Sequence, residues 1–225
     1  MTQAWSHSVL ESFETCPWRH YLTKVTKEVV DPPGQAMARG RAVHGSFEKR
    51  IKHGVVLPGD LGKHEPLVAR MEALAVGGKI EAETQMALTQ SYTTTTWFAK
   101  DVWVRAITDV SVFKGTKAFV GDWKTGKRKS DSAQLKLSAV VLFAQKPWLN
   151  EIRNSFIWLD EPDPTQRFTS EVFHRVDAPN LWREFLPRVA RLENAHANNA
   201  WPKRPSGLCK AHCPVPRAKC EHSGA

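Results

Sequence analysis

Residues 102–126 carry the pattern that most narrows the folds open to this chain. Two stretches, Val102-Trp-Val-Arg-Ala-Ile-Thr-Asp109 and Ala118-Phe-Val-Gly-Asp122-Trp-Lys124, are rich in β-branched and aromatic residues. Gly115 and its neighbours make the only good turn between them, so the pattern predicts a hairpin with strands over 102–112 and 117–123. Folding the chain between Gly115 and Thr116 sets Asp109 directly across from Asp122, with Cβ atoms about 5 Å apart. Lys124 is two residues beyond Asp122, so a strand points both to one face.

Facing carboxylates destabilise a sheet unless something separates their charges. A divalent cation does so, because hard cations take oxygen ligands. A lysine alongside can orient a water or steady negative charge on a phosphoryl group. The plain alternative is a pair of solvated aspartates with Lys124 as a counter-ion. His44 bears on that choice. Gly40, Val43, His44, Phe47 and Ile51 form the apolar stripe of a helix predicted over 35–53. A histidine there is either a satisfied core residue or an imidazole ligand aimed at the carboxylates. Gly40 is expected to let this helix approach the sheet closely.

Around the hairpin the periodicity predicts an α/β protein. A capping box at Ser8 and Glu11 opens a first helix, and Pro17 begins a second. A helix over 65–76 and a strand over 81–92 precede the hairpin, with 93–96 as an irregular continuation. A helix over 132–145, strands over 152–159 and 168–175, and a helix over 178–199 follow it. The order of elements indicates one α/β domain over 1–225: N-terminal helices (8–53), a catalytic sheet and helix (81–175), and a C-terminal helix with a cysteine-rich tail (178–225). The chain of 225 residues has 41% apolar and 24% charged residues, which excludes a disordered or fibrous protein. Its longest apolar run is six residues, so no membrane-spanning helix and no membrane partner are expected, and a cytoplasmic setting is.

The cysteines are lopsided: Cys16 stands alone, while Cys209, Cys213 and Cys220 lie within twelve residues. Such spacing suits a soft-ligand metal site better than a disulfide scaffold. A zinc site of four thiolates fits, and His212 or His222 can replace one of them.

Taken in order, Cys16-Pro17-x-Arg19-x-Tyr21, Gly40-x-x-x-His44, Asp109, Asp122-Trp-Lys124-Thr-Gly126 and Gln134-Leu resemble the RecB-like branch of the PD-(D/E)XK nuclease superfamily. The likeness is greatest to its small stand-alone iron–sulfur exonucleases, CRISPR-associated and phage members among them. The resemblance implies a restriction-endonuclease-like core, a mixed central sheet flanked by helices, with the terminal segments clasped by a metal cluster. It also implies His44, Asp109, Asp122 and the Trp123 carbonyl as ligands of Mg²⁺ or Mn²⁺, with Asp109, Asp122, Lys124 and Gln134 catalytic. Cys16, Cys209, Cys213 and Cys220 would hold a 4Fe–4S cluster, with Zn²⁺ the alternative. The family tyrosine four residues after Gln134 is here Ser138. An ordinary surface glutamine is the competing account of Gln134.

A net charge of +9 favours a polyanionic partner. Lys127, Arg128 and Lys129 follow the acidic hairpin and are placed to hold a nucleic-acid backbone. The expected activity is divalent-metal-dependent DNA hydrolysis, as an exonuclease on single strands or duplex ends. The competing class is a non-catalytic nucleic-acid-binding module with a structural metal held by the four cysteines. Oligomeric state is left open.

Overall fold

The computed structural model describes residues 4–126, 128 and 132–224. In chain order the helices are α1 (His7–Thr15), α2 (Pro17–His20), α3 (Gln35–His53), α4 (Glu65–Leu74), α5 (Ala133–Gln145), α6 (Ala178–Ala197) and α7 (Cys209–His212). The strands are β1 (Lys79–Leu88), β2 (Thr94–Thr95), β3 (Val104–Lys114), β4 (Lys117–Lys124), β5 (Glu151–Trp158) and β6 (Phe168–His174). They fall into two compact units, Gly34–Arg183 and a smaller one made of Met1–Pro33 and Glu184–Ala225.

The larger unit is built on one six-stranded sheet, ordered β2-β1-β3-β4-β5-β6. Every neighbouring pair is antiparallel except β4 and β5. Parallel neighbours need a crossover, and α5 supplies it. Residues Leu137 to Phe143 of α5 are all buried, so the central turns of this helix are enclosed on every side. On α3, Val43 and Phe47 are buried, and they pack with Val68 and Met71 of α4 against Val110, Val112, Trp123 and Ile157 of the sheet. The Phe47 and Trp123 rings stack with centroids 4.2 Å apart.

The hairpin register agrees with the predicted fold-back, since Lys114 pairs with Lys117 and Val110 with Gly121. Gly115 makes the turn at φ 57°, where a side chain would be strained. Other expectations need correction. Ser6, not Ser8, caps α1, its hydroxyl accepting from the Val9 amide. The strand expected to reach residue 92 stops at Leu88. A tight loop then returns Thr94–Thr95 to pair with Ala87 and Leu88. A methyl group at Gly40 would meet Thr125 Oγ1 at 3.7 Å, ordinary contact, so helix approach does not require glycine there.

In the smaller unit, α2 passes into a single wide turn over Tyr21–Val25, closed by the Thr26 amide donating to the Tyr21 carbonyl. Glu14 ties the first helix to Arg188, with a bidentate bond at 2.9 and 2.6 Å, and to Arg191. The Trp18 indole donates to the Lys219 carbonyl, which brings the two ends of the sequence together.

Candidate active site

Asp109 and Asp122 sit where the β3–β4 ladder ends. Val110–Gly121 is its last pair, and the two aspartates occupy the next register position. In place of a ladder bond, the Trp123 amide donates to Asp109 Oδ2 at 2.8 Å. Both carboxylates are buried, at 7% and 9% exposure. The solvated-hairpin account is therefore incorrect.

Two strands break stride at this point. On β3 the Ser111 hydroxyl donates to Thr108 Oγ1 at 3.1 Å, and on β1 Thr84 Oγ1 donates to Glu81 Oε2 at 3.4 Å. Residues three apart face opposite ways in a regular strand, so alternation is interrupted in both. Between each pair lie Asp109 and Glu83, and Glu83 takes φ 47°, a strained value for a side-chain-bearing residue. The β1–β3 register places Glu83 opposite Asp109, flanked by Ala82–Val110 and Thr84–Thr108. Three acids thus stand side by side across three adjacent strands. Glu83 escapes a sequence reading because fifteen residues, a short strand among them, separate β1 from β3, so no turn sets their register.

His44 enters from α3. Its Nε2 donates to the Trp123 carbonyl at 2.9 Å, while Nδ1 lies 3.3 Å from Asp109 Oδ2 and 3.5 Å from Glu83 Oε1. Burial acts to lower the His44 pKa. The close carboxylates of Asp109 and Glu83, with the charges of Asp109 and Asp122, outweigh it and raise the value to about 10. Asp122 is pushed up to about 8, first by burial and then by the neighbouring Asp109 charge. The imidazole and the two carboxylates each offer one ligand atom within 4.8 Å of the others. Two buried carboxylate oxygens, Asp122 Oδ2 and Glu83 Oε1, gain no hydrogen bond of acceptable angle among the described residues. Oxygen donors with one imidazole, including two oxygens lacking hydrogen bonds, fit Mg²⁺ or Mn²⁺.

Lys124 completes the group. Its Nζ is 2.8 Å from Asp122 Oδ2, an ion-pair contact, and donates to Gln134 Oε1 at 2.8 Å. Gln134, in the first turn of α5, is therefore gathered with the others rather than left on the surface. Ser138 turns inward, donating to the Leu135 carbonyl and accepting from Asn154 Nδ2. Arg39 of α3 grips Asp160 through two 2.7 Å bonds, and Asp160 Oδ2 accepts from the Gly126 amide. That bridge ties the helix of His44 to the segment following Lys124. Lys127 and Lys129 lie outside the described residues. Arg128 is exposed, with Nη2 3.5 Å from Glu161 Oε2.

In the smaller unit the four cysteines are half-buried free thiols, and all line one cavity of about 70 Å³ with Arg19, Val215 and His222. The Ser206 amide donates to Cys209 Sγ at 3.2 Å.

A mixed sheet with a crossover helix, and buried carboxylates, imidazole and lysine gathered where two strands part, define the class: an α/β protein with an acidic site at the end of a strand ladder. The family profile of the PD-(D/E)XK nuclease superfamily matches residues 4–220, so the chain belongs to that superfamily and is a nuclease. Among solved structures it is similar to a protein from Eubacterium rectale named "Putative exonuclease". Identity is 11%, TM-score 0.55, and coverage 93% of this chain and 86% of that one. This likeness supports a restriction-endonuclease-like fold. SSO0001 is similar at 12% identity and TM-score 0.44, covering 96% and 89% of the two chains. A search of curated proteins finds no match. No helix among the described residues is long and apolar enough to cross a membrane.

Proposed function

We propose that residues 1–225 form one DNA nuclease domain that hydrolyses phosphodiester bonds with Mg²⁺ or Mn²⁺, as an exonuclease on single strands or duplex ends. One observation carries the reading: buried Asp109 and Asp122 with a His44 nitrogen within 4.8 Å of both and Lys124 alongside. Such burial of like charges destabilises a sheet and finds its use when a cation binds. His44, Asp109 and Asp122 would hold the ion, with the Trp123 carbonyl as a further donor once His44 gives up its hydrogen bond. The ion would supply Lewis-acid polarisation of the phosphoryl oxygen. Lys124 Nζ orients the attacking water and steadies charge on the phosphoryl oxygens, and Gln134 holds that amine in place. Water oxygen bonds to phosphorus, the bond to the 3′ oxygen breaks, and that oxygen leaves protonated, giving a 5′-phosphate. Incubation with end-labelled single and double strands, with and without Mg²⁺ or Mn²⁺, tests the reading. Cleavage without metal, or none with it, refutes it.

For the cysteines we propose a 4Fe–4S cluster clasping the two ends of the chain. All four thiols line one cavity, so ligands from both ends of the chain converge there.

A further inference from the structure

The loop between β1 and β3 carries side chains that the fold does not use. At its base the Tyr92, Trp103 and Trp182 rings pack on one another with centroids 4.7 to 6.0 Å apart. Thr95 Oγ1 donates to Asp101, which occupies that carboxylate. Phe98 belongs to none of this. It is 87% exposed on a tip closed by the Ala99 amide donating to the Thr96 carbonyl. Beside it Trp97 is half-buried. Arg105 lies 5.4 Å from the Trp97 ring centre, and its Nε donates to the Trp97 carbonyl at 3.0 Å.

Arg105 and Ile107, the latter 41% exposed, leave β3 from one face, ahead of the break in alternation at Asp109. From Arg105 to Asp109 the strand advances about 13 Å. The cation and the exposed aliphatic side chain thus precede Asp109 along β3, and Arg105 is bonded to the residue next to Phe98. Aromatic faces beside a cation suit unpaired bases on a phosphate backbone, because every base offers a π-face and every linkage a negative charge. A duplex keeps all but its terminal base faces covered, so along its length it gains nothing from Phe98.

We propose that this loop grips single-stranded nucleic acid a few nucleotides from the cleavage site. An unpaired base stacks on Phe98, with Arg105 toward the backbone. The proposal rests on the nuclease reading and names the substrate form of that same site.

The test is fluorescence anisotropy with a labelled oligo-dT 20-mer and a blunt duplex, in EDTA, on wild type, Phe98→Ala and Phe98→Trp. Cleavage kinetics in Mn²⁺ accompany it. Phe98→Ala should weaken oligo-dT binding about five-fold or more and raise KM with little change in kcat, leaving duplex binding unchanged. Phe98→Trp should restore the affinity. If Phe98→Ala binds oligo-dT as tightly as wild type, or loses duplex binding equally, the stacking proposal is overturned while the nuclease stands. If wild type neither binds nor cleaves, both readings fall.

Discussion

Gly121→Ala measures how tightly the sheet is packed beside the site. A Cβ built at Gly121 would lie 2.5 Å from Ile157 Cδ1, 2.8 Å from Val110 Cγ1 and 3.4 Å from Phe119 Cε1. Carbon atoms prefer about 3.5–4.0 Å, so two contacts are about 1 Å too short. Ile157 can swing its terminal methyl aside, but Val110 is stiff at χ1 and pairs with Gly121 across the ladder. Overpacking of this kind costs about 1–3 kcal/mol, whereas replacing glycine restricts the unfolded chain and returns about 0.4–1 kcal/mol. A net loss of about 1–2 kcal/mol follows, lowering the urea midpoint by roughly half to one molar at an m-value near 2 kcal/mol/M. Activity should fall too, since Asp122 is the next residue. Ile157→Val removes the clashing methyl, so adding it to Gly121→Ala should cost less than its usual 0.5–1.5 kcal/mol. The assay is urea unfolding of the four proteins of this cycle. A neutral or stabilised Gly121→Ala, or additivity within about 0.5 kcal/mol, would refute the packing argument.

Asp122→Ala and Lys124→Ala should each abolish metal-dependent cleavage with the fold retained by circular dichroism; either retaining wild-type rate would remove the site from the chemistry. Metal binding near pH 7 should release protons, because Asp122 and His44 are held protonated up to about pH 8 and 10; a pH-stat reading no release contradicts this. Without metal, the folded chain binds more protons than the unfolded one as Asp122 passes from its ordinary value to about 8. The His44 contribution, complete below about 6.5, is likewise lost as pH climbs to about 10. Both terms lower metal-free stability with rising pH, and Asp122→Asn should flatten that fall in thermal melts across pH 5–9. Protein purified without oxygen should absorb broadly near 400 nm (an estimate from general iron–sulfur chemistry), and Cys16→Ser or Cys213→Ser should bleach it; colourless protein holding one zinc transfers the site to the zinc–thiolate alternative.

Much of the site was legible because the hairpin is local. Gly115 allows one turn, one turn allows one register, and that register faces Asp109 with Asp122 whatever surrounds them. Helical spacing likewise located α3, bounds included, with His44 on its inner stripe. Spacing could not decide where that stripe lands. His44 bonding the Trp123 carbonyl, and Lys124 meeting Gln134, are contacts between elements brought together by packing. Glu83 shows the limit most clearly. Its place beside Asp109 depends on a long-range strand pairing and on a positive φ that no glycine announces. Arg39 and Asp160 meet across 121 residues, and nothing in either neighbourhood marks them. The sequence by itself determined the local geometry, strand by turn by strand and helix by period, because short-range sterics set it. Only the tertiary structure decided the third acid, the charge on His44 and the bracing of the lysine segment, because these follow from burial and from distances between residues far apart in the chain.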